Sequence, residues 1–181
     1  TPDCYYATLF HELGHATGGA PLSRQWAPRG RERTLTNEGQ ADYFAALKCA
    51  RRFHRAYPNA PAGDAPDEQT RSSCAAAHAD PEDQRICERI TVAGLALGKV
   101  LRDIFYPGTA DPTLATPDPS VVRSTNHGYP SPQCRVDTYF QGALCEVPET
   151  VAVSHRLSHV GTCHPRHRHT TGSRPLCWYR P

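Results

Sequence analysis

Three features of the sequence predict a mainly α-helical fold with a loop-rich, disulfide-tied C-terminal portion. Apolar side chains recur every three to four residues in three segments before position 107. The 17 Pro and 13 Gly punctuate the chain between and after those segments. Of the eight cysteines, an even number, four fall after residue 130. Residues 1–106 therefore read as a helical domain and residues 107–181 as a Pro-, Cys- and His-rich extension packed on it.

The first helix is expected from Thr1-Pro2-Asp3, a capping residue followed by Pro at the first helical position. Tyr5, Leu9, Leu13 and Ala16 recur at helical spacing, and Gly18-Gly19 ends the run. A loop containing Pro21, Pro28 and Gly30 follows. The second helix is expected from the Thr36-Asn37 cap to about Tyr57, where Pro58 stops it; Tyr43, Phe44, Leu47, Ala50 and Phe53 form its apolar stripe. Residues 58–79 are rich in Pro, Ala and Asp and read as a loop. The third helix spans about Asp80 to Tyr106, with Ile86, Ile90, Ala93, Leu97, Leu101 and Ile104 as one buried face. Pro107 to Pro119 is a linker, and Arg135 to Cys145 a short fourth helix. Beyond Pro148 no periodicity is legible.

Composition excludes several classes of function. Net charge is +2, too little to build the field that nucleic acid or an anionic membrane would demand. No apolar stretch approaches the roughly 18 residues of a membrane span. At 38% hydrophobic residues the core is modest for this length. The cysteines include no CxxC pair, which argues against a zinc ribbon or a dithiol redox motif. They read as up to four disulfides in an exported chain, secreted or periplasmic. Cys74 with Cys87, Cys134 with Cys145 and Cys163 with Cys177 would close short loops. The Arg-, Ala- and Pro-rich mix points to a GC-rich bacterial genome. With no Met anywhere, the chain reads as a mature or excised piece.

His11-Glu12-Leu13-Gly14-His15 is an HExxH sequence inside the first helix. Residues i and i+4 share a helix face at about 5–6 Å between Cβ atoms, so two imidazoles can converge on one Zn²⁺. Glu12 stands beside the first ligand and can take a proton from a zinc-activated water without occupying a coordination position. A catalytic zinc needs a third protein ligand, and Glu38, 23 residues after His15, can supply it from the start of the second helix. Asp42, four residues after Glu38, can accept the outer N–H of a ligating histidine.

HExxH followed by a helix reading Asn37-Glu38-x-x-x-Asp42 resembles the gluzincins, the thermolysin-like zinc peptidases. The resemblance covers about residues 4–57. It implies zincin-like active-site helices with His11, His15 and Glu38 as zinc ligands, Glu12 as general base, and Asp42 bonded to His11. The substrate implied is a protein or peptide. Residues 38–45 (EGQADYFA) are also similar to the ExxxAD helix of membrane-associated peptidases that process prenylated proteins. That resemblance implies a His and a following Arg that contact the transition state; His127 and Arg135 are the candidates, with Tyr129 and Tyr43 as alternatives. Metzincins would need a third His where Pro21 stands, and the aspzincin GTxD context does not occur. The family places a β-sheet before its active-site helix. None is written here, which leaves three readings open: an upstream domain or propeptide outside this chain, a sheet supplied by another chain, or no sheet at all.

An alternative of another class stays open: an exported, disulfide-stabilised binding or structural module whose zinc is not catalytic. His155, His159, His164, His167 and His169 hold half of the ten histidines. They read as a solvated basic tail fastened by Cys163 and Cys177, with an accessory metal site as the rarer reading. Trp178 and Tyr179 are expected to pack that terminus onto the domain.

Overall fold

The computed structural model describes residues 2–27 and 31–181. It is mainly α-helical. Helix α1 (Pro2–Thr17) leads into an antiparallel hairpin of β1 (Leu22–Ala27) and β2 (Arg31–Thr36). Next come α2 (Glu38–Phe44), a π-helical stretch (Ala45–Ala50) and α3 (Arg51–Ala56). Helices α4 (Glu68–Ala77), α5 (Pro81–Phe105) and α6 (Pro132–Leu144) follow, and Pro165–His167 form one 3₁₀ turn. The cap expected at Thr1 and the loop residues Pro28 and Gly30 lie outside the described residues.

Local chemistry explains the helix starts. The Asn37 side chain accepts from Gln40 N at 2.9 Å and opens α2. Asp80 accepts from the Glu82 and Asp83 amides ahead of α5, with Pro81 at the first turn. Ser131 does the same for α6 from Cys134 N, again followed by Pro. The expected helix from Thr36-Asn37 to Tyr57 is present but changes to π geometry in its middle.

Several expectations are corrected. Leu22–Ala27 and Arg31–Thr36 pair as a hairpin, in register from Leu22↔Thr36 to Ala27↔Arg31, where the sequence predicts a loop. Within 58–79, helix α4 forms, because Asp67 accepts from Thr70 N at 2.7 Å and caps it. On α1, Tyr5, Leu9 and Leu13 face solvent, while Ala7, Phe10, His11 and Gly14 are buried. On α5, Ile104 is exposed, because the helix runs past the end of the core.

The core lies between Ala7 and Phe10 of α1, Ala45, Ala46 and Ala50 of the π segment, Ile86, Ile90, Ala93 and Leu97 of α5, and Tyr139 and Ala143 of α6. Small residues on the π segment let α1 and α6 approach from either side. Buried Arg51 spans the gap to the end of α6, donating to Ala143 O at 2.7 Å and to Cys145 O. It thus satisfies carbonyls that the helix terminus leaves unpaired.

Three disulfides are formed: Cys74–Cys87, Cys134–Cys177 and Cys145–Cys163. Only the first joins the short-loop neighbours expected from sequence. The other two are nested, Cys145–Cys163 within the loop closed by Cys134–Cys177, because the segment after Cys145 folds back over α2 before it reaches α6. The C-terminal stretch is accordingly not a solvated tail: Thr162, His164, Arg174, Trp178 and Tyr179 are buried. No helix among the described residues is long and apolar enough to cross a membrane.

Candidate metal centre

Helix α1 crosses α2 at Gly14, where a Cβ would meet Ala41 O at 2.8 Å and Ala41 Cα at 2.9 Å. Only glycine permits that approach, and the approach brings one turn of α1 against the first turn of α2. His11 and His15 thereby face Glu38. Their ring centroids are 4.6 Å apart. His11 Nε2 lies 3.3 Å from Glu38 Oε2, and His15 Nε2 lies 3.5 Å from Glu38 Oε1. The ligand atoms of His11, Glu12 and His15 all fall within 4.8 Å of one another, a group that could hold a metal ion. The one other such group among the described residues, Asp118 with Cys134 and Cys177, has both sulfurs consumed in a disulfide.

The outer nitrogen of each imidazole is engaged. His15 Nδ1 is 2.8 Å from Thr36 O at the end of β2. A carbonyl can only accept, so the proton is on Nδ1 and the Nε2 lone pair faces Glu38. His11 Nδ1 is 2.8 Å from Asp42 Oδ1, which fixes the same tautomer. Asp42 is fully buried and also accepts from Arg135 of α6, at 2.7 Å from Nε and 2.7 Å from Nη2. Burial pushes the Asp42 carboxyl up, but the Arg135 and His11 charges outweigh it and hold the pKa below the ordinary value.

With both rings neutral, two imidazole lone pairs and a carboxylate would converge with no donor between them. Glu38 Oε2 is buried without a hydrogen-bond partner among the described residues. Such an arrangement of acceptors is costly unless a cation occupies its centre. A proton is the simplest occupant. Burial disfavours charge on His11, yet Asp42 and the hydrogen bonds to Asp42 and Glu38 lift its pKa to about 9. The donor set, two imidazoles and carboxylate oxygen, also fits a borderline divalent ion.

The group lines a cleft of about 1020 Å³. Its other walls are Thr8 of α1, Leu97, Val100, Leu101, Ile104 and Phe105 of α5, and Tyr129, Pro130 and Arg135 around the start of α6. Glu12 is exposed to this cleft. The Glu38 charge holds the Tyr129 phenol above its ordinary pKa, which places that hydroxyl in the carboxylate's field.

Of the residues singled out in the sequence, the structure thus brings His11, Glu12, His15, Glu38, Asp42 and Arg135 together. His127 is exposed on the loop before α6 and is not among the cleft-lining residues. Tyr43 is buried away from the cleft, donating to Gly172 O. The sequence reading missed the Thr36 carbonyl, and no side-chain signal could have revealed it. It also missed the wall formed by the end of α5, although the exposed Ile104 and Phe105 extend the period of that helix. Compared with protein-family models, curated proteins and solved structures, the chain matches none of them.

Proposed function

We propose that this chain is a zinc-dependent metallopeptidase, with His11, His15 and Glu38 holding the metal and Glu12 acting as general base. The observation that carries the proposal is the convergence of the His11 and His15 Nε2 atoms on the Glu38 carboxylate beside an open cleft. A closed structural site would have no open side for substrate. Bound zinc would supply Lewis acidity, polarising the substrate carbonyl and acidifying a water.

The chain's own residues perform the remaining work. Glu12, exposed beside the ligands, accepts a proton from the attacking water and returns it to the leaving amine. Asp42 holds His11 in the tautomer that presents Nε2, and the Thr36 carbonyl does the same for His15. Arg135 and Tyr129 are the cleft-lining donors available to a developing oxyanion. Arg135 Nη1 makes no hydrogen bond among the described residues, and Tyr129 reaches the cleft where His127 does not.

Zinc content and casein hydrolysis of wild type beside Glu12→Gln test the reading. Stoichiometric zinc in both, with hydrolysis by wild type alone, supports it. Zinc in both without hydrolysis in either assigns the chain to the non-catalytic module instead. Absence of zinc from both removes the metal centre altogether.

A further inference from the structure

The residues flanking Glu38 on α2 are gripped from outside by the last turn of the chain. Gly39 lies beneath the Trp178 indole, so closely that a Cβ there would stand 2.3 Å from Trp178 Cδ2. Gln40 Oε1 accepts from Arg174 Nε at 2.5 Å, and its Nε2 donates to Gly18 O at 2.8 Å. Asn37 Nδ2 donates to Asn126 O at 3.1 Å, and Asn126 N donates in turn to Trp178 O at 2.7 Å. Trp178 is wholly buried, and its Nε1 donates to Thr138 Oγ1 of α6 at 2.9 Å.

One covalent bond fastens this arrangement. The Cys134–Cys177 disulfide joins the residue before Arg135 to the residue before Trp178. Arg135 holds Asp42, which holds His11; Trp178 holds Gly39, which adjoins Glu38. A single crosslink thus ties the support of one proposed ligand to the support of another. Burial of an aromatic terminus alone would not require contact at the one α2 residue that has no side chain.

We infer that Trp178 is a positioning residue for the metal centre, clamped by the Cys134–Cys177 bond, and that metal affinity depends on this clamp. The inference rests on the metal-centre reading above. Its physical basis is the tolerance of a ligand set. Glu38 must be held to within about 0.5 Å of its place facing His11 and His15. Residues that orient ligands are worth about 10–100-fold in metal affinity.

The test uses the whole chain, with Co²⁺ as probe, read by its visible absorption and by competition with a chelating dye. Gly39→Ala is expected to lower Co²⁺ affinity about 10–100-fold and to alter the absorption, because its methyl meets the indole. Adding Trp178→Leu to Gly39→Ala is expected to recover part of that loss. Cys134→Ser with Cys177→Ser should lower affinity tenfold or more. Cys74→Ser with Cys87→Ser, a disulfide between α4 and α5, should lower the melting temperature alone. Should the Cys134/Cys177 variant fail to fold, the Gly39/Trp178 cycle decides. Additive Gly39 and Trp178 effects, or equal losses for the two disulfides, would make Trp178 a stability element only and overturn the inference. A wild-type chain that takes up neither Co²⁺ nor Zn²⁺ would instead remove the metal reading beneath it.

Discussion

Replacing Asp42 with Asn strips a fully buried carboxylate from beneath His11 and Arg135. The native carboxylate receives His11 Nδ1 at 2.8 Å and two Arg135 nitrogens at 2.7 Å each. An amide can accept at one oxygen only, and its NH₂ would face a further donor. Arg135 is itself buried, so the variant leaves a guanidinium without its counter-charge. Breaking one side of a buried ion pair costs about 3–5 kcal/mol. Asn keeps one acceptor, so the lower end applies, about 3 kcal/mol. For a chain of this size that lowers the melting temperature by about 6–12 °C. Asp42→Leu with Arg135→Met removes both charges and should return stability to within about 1 kcal/mol of wild type. Metal affinity should remain about 10–100-fold down in both variants, since His11 has lost its charged acceptor in each. Thermal denaturation monitored by circular dichroism, paired with Co²⁺ titration, reads the two quantities separately. An Asp42→Asn variant within 1 kcal/mol of wild type and with unchanged affinity refutes the reasoning.

Two further predictions concern the frame around the site. Burial and the Arg89 charge depress the pKa of His54 from 6.5 to about 4, against a smaller opposing pull from Asp3. The unfolded chain therefore binds the extra proton first as pH falls. His54's contribution is complete above pH 6.5 and is lost progressively down to about pH 4, about 3 kcal/mol in all. His54→Phe should flatten the stability–pH curve in that window relative to wild type; an unchanged slope contradicts the assignment. Gly14→Ala should destabilise by about 1–3 kcal/mol and weaken metal uptake, although Ala is ordinarily the better helix former. The methyl meets Ala41 backbone, which cannot rotate away. A stabilised Gly14→Ala chain would show that α1 and α2 are not pressed together there.

What was legible in the sequence follows the range of the interaction that encodes it. His11 with His15, and Glu38 with Asp42, are i,i+4 pairs, so a helical reading places each pair on one face. Asn37 is a cap acting three residues ahead, and it set the start of α2. The long period from Ile86 to Leu101 gave α5 because one apolar face is continuous over about four turns. Helix α4 was hidden because its residues are mostly polar or Ala and its hold on the core is largely one disulfide, Cys74–Cys87. The hairpin was hidden because its strands carry few large apolar residues and no two-residue alternation. The exposed stripe on α1 misleads for a related reason. Apart from Phe10, its buried face is made of Asp3, Ala7, His11 and Gly14, residues that a hydrophobic pattern ranks below Leu and Tyr.

The site shows the same division at higher resolution. The family resemblance offers Arg135 as a donor to the transition state, because it follows His127 by several residues. In the folded chain its Nε and Nη2 are spent on Asp42, 93 residues away, and this pairing is invisible to spacing. The two roles need not compete. A guanidinium has five donors, and fixing two of them on a buried carboxylate immobilises the others. Arg135 held by Asp42 is therefore a more rigid electrostatic group at the cleft than a solvated Arg would be. Its charge is balanced locally, so Asp42 can anchor His11 at the same time. Removing the Arg charge with Arg135→Met should then lower metal affinity as well as catalysis, since Asp42 would lose the partner that holds its oxygens in place. A variant that loses only turnover, with Co²⁺ affinity intact, would separate the two roles and leave Asp42 self-sufficient as the anchor of His11.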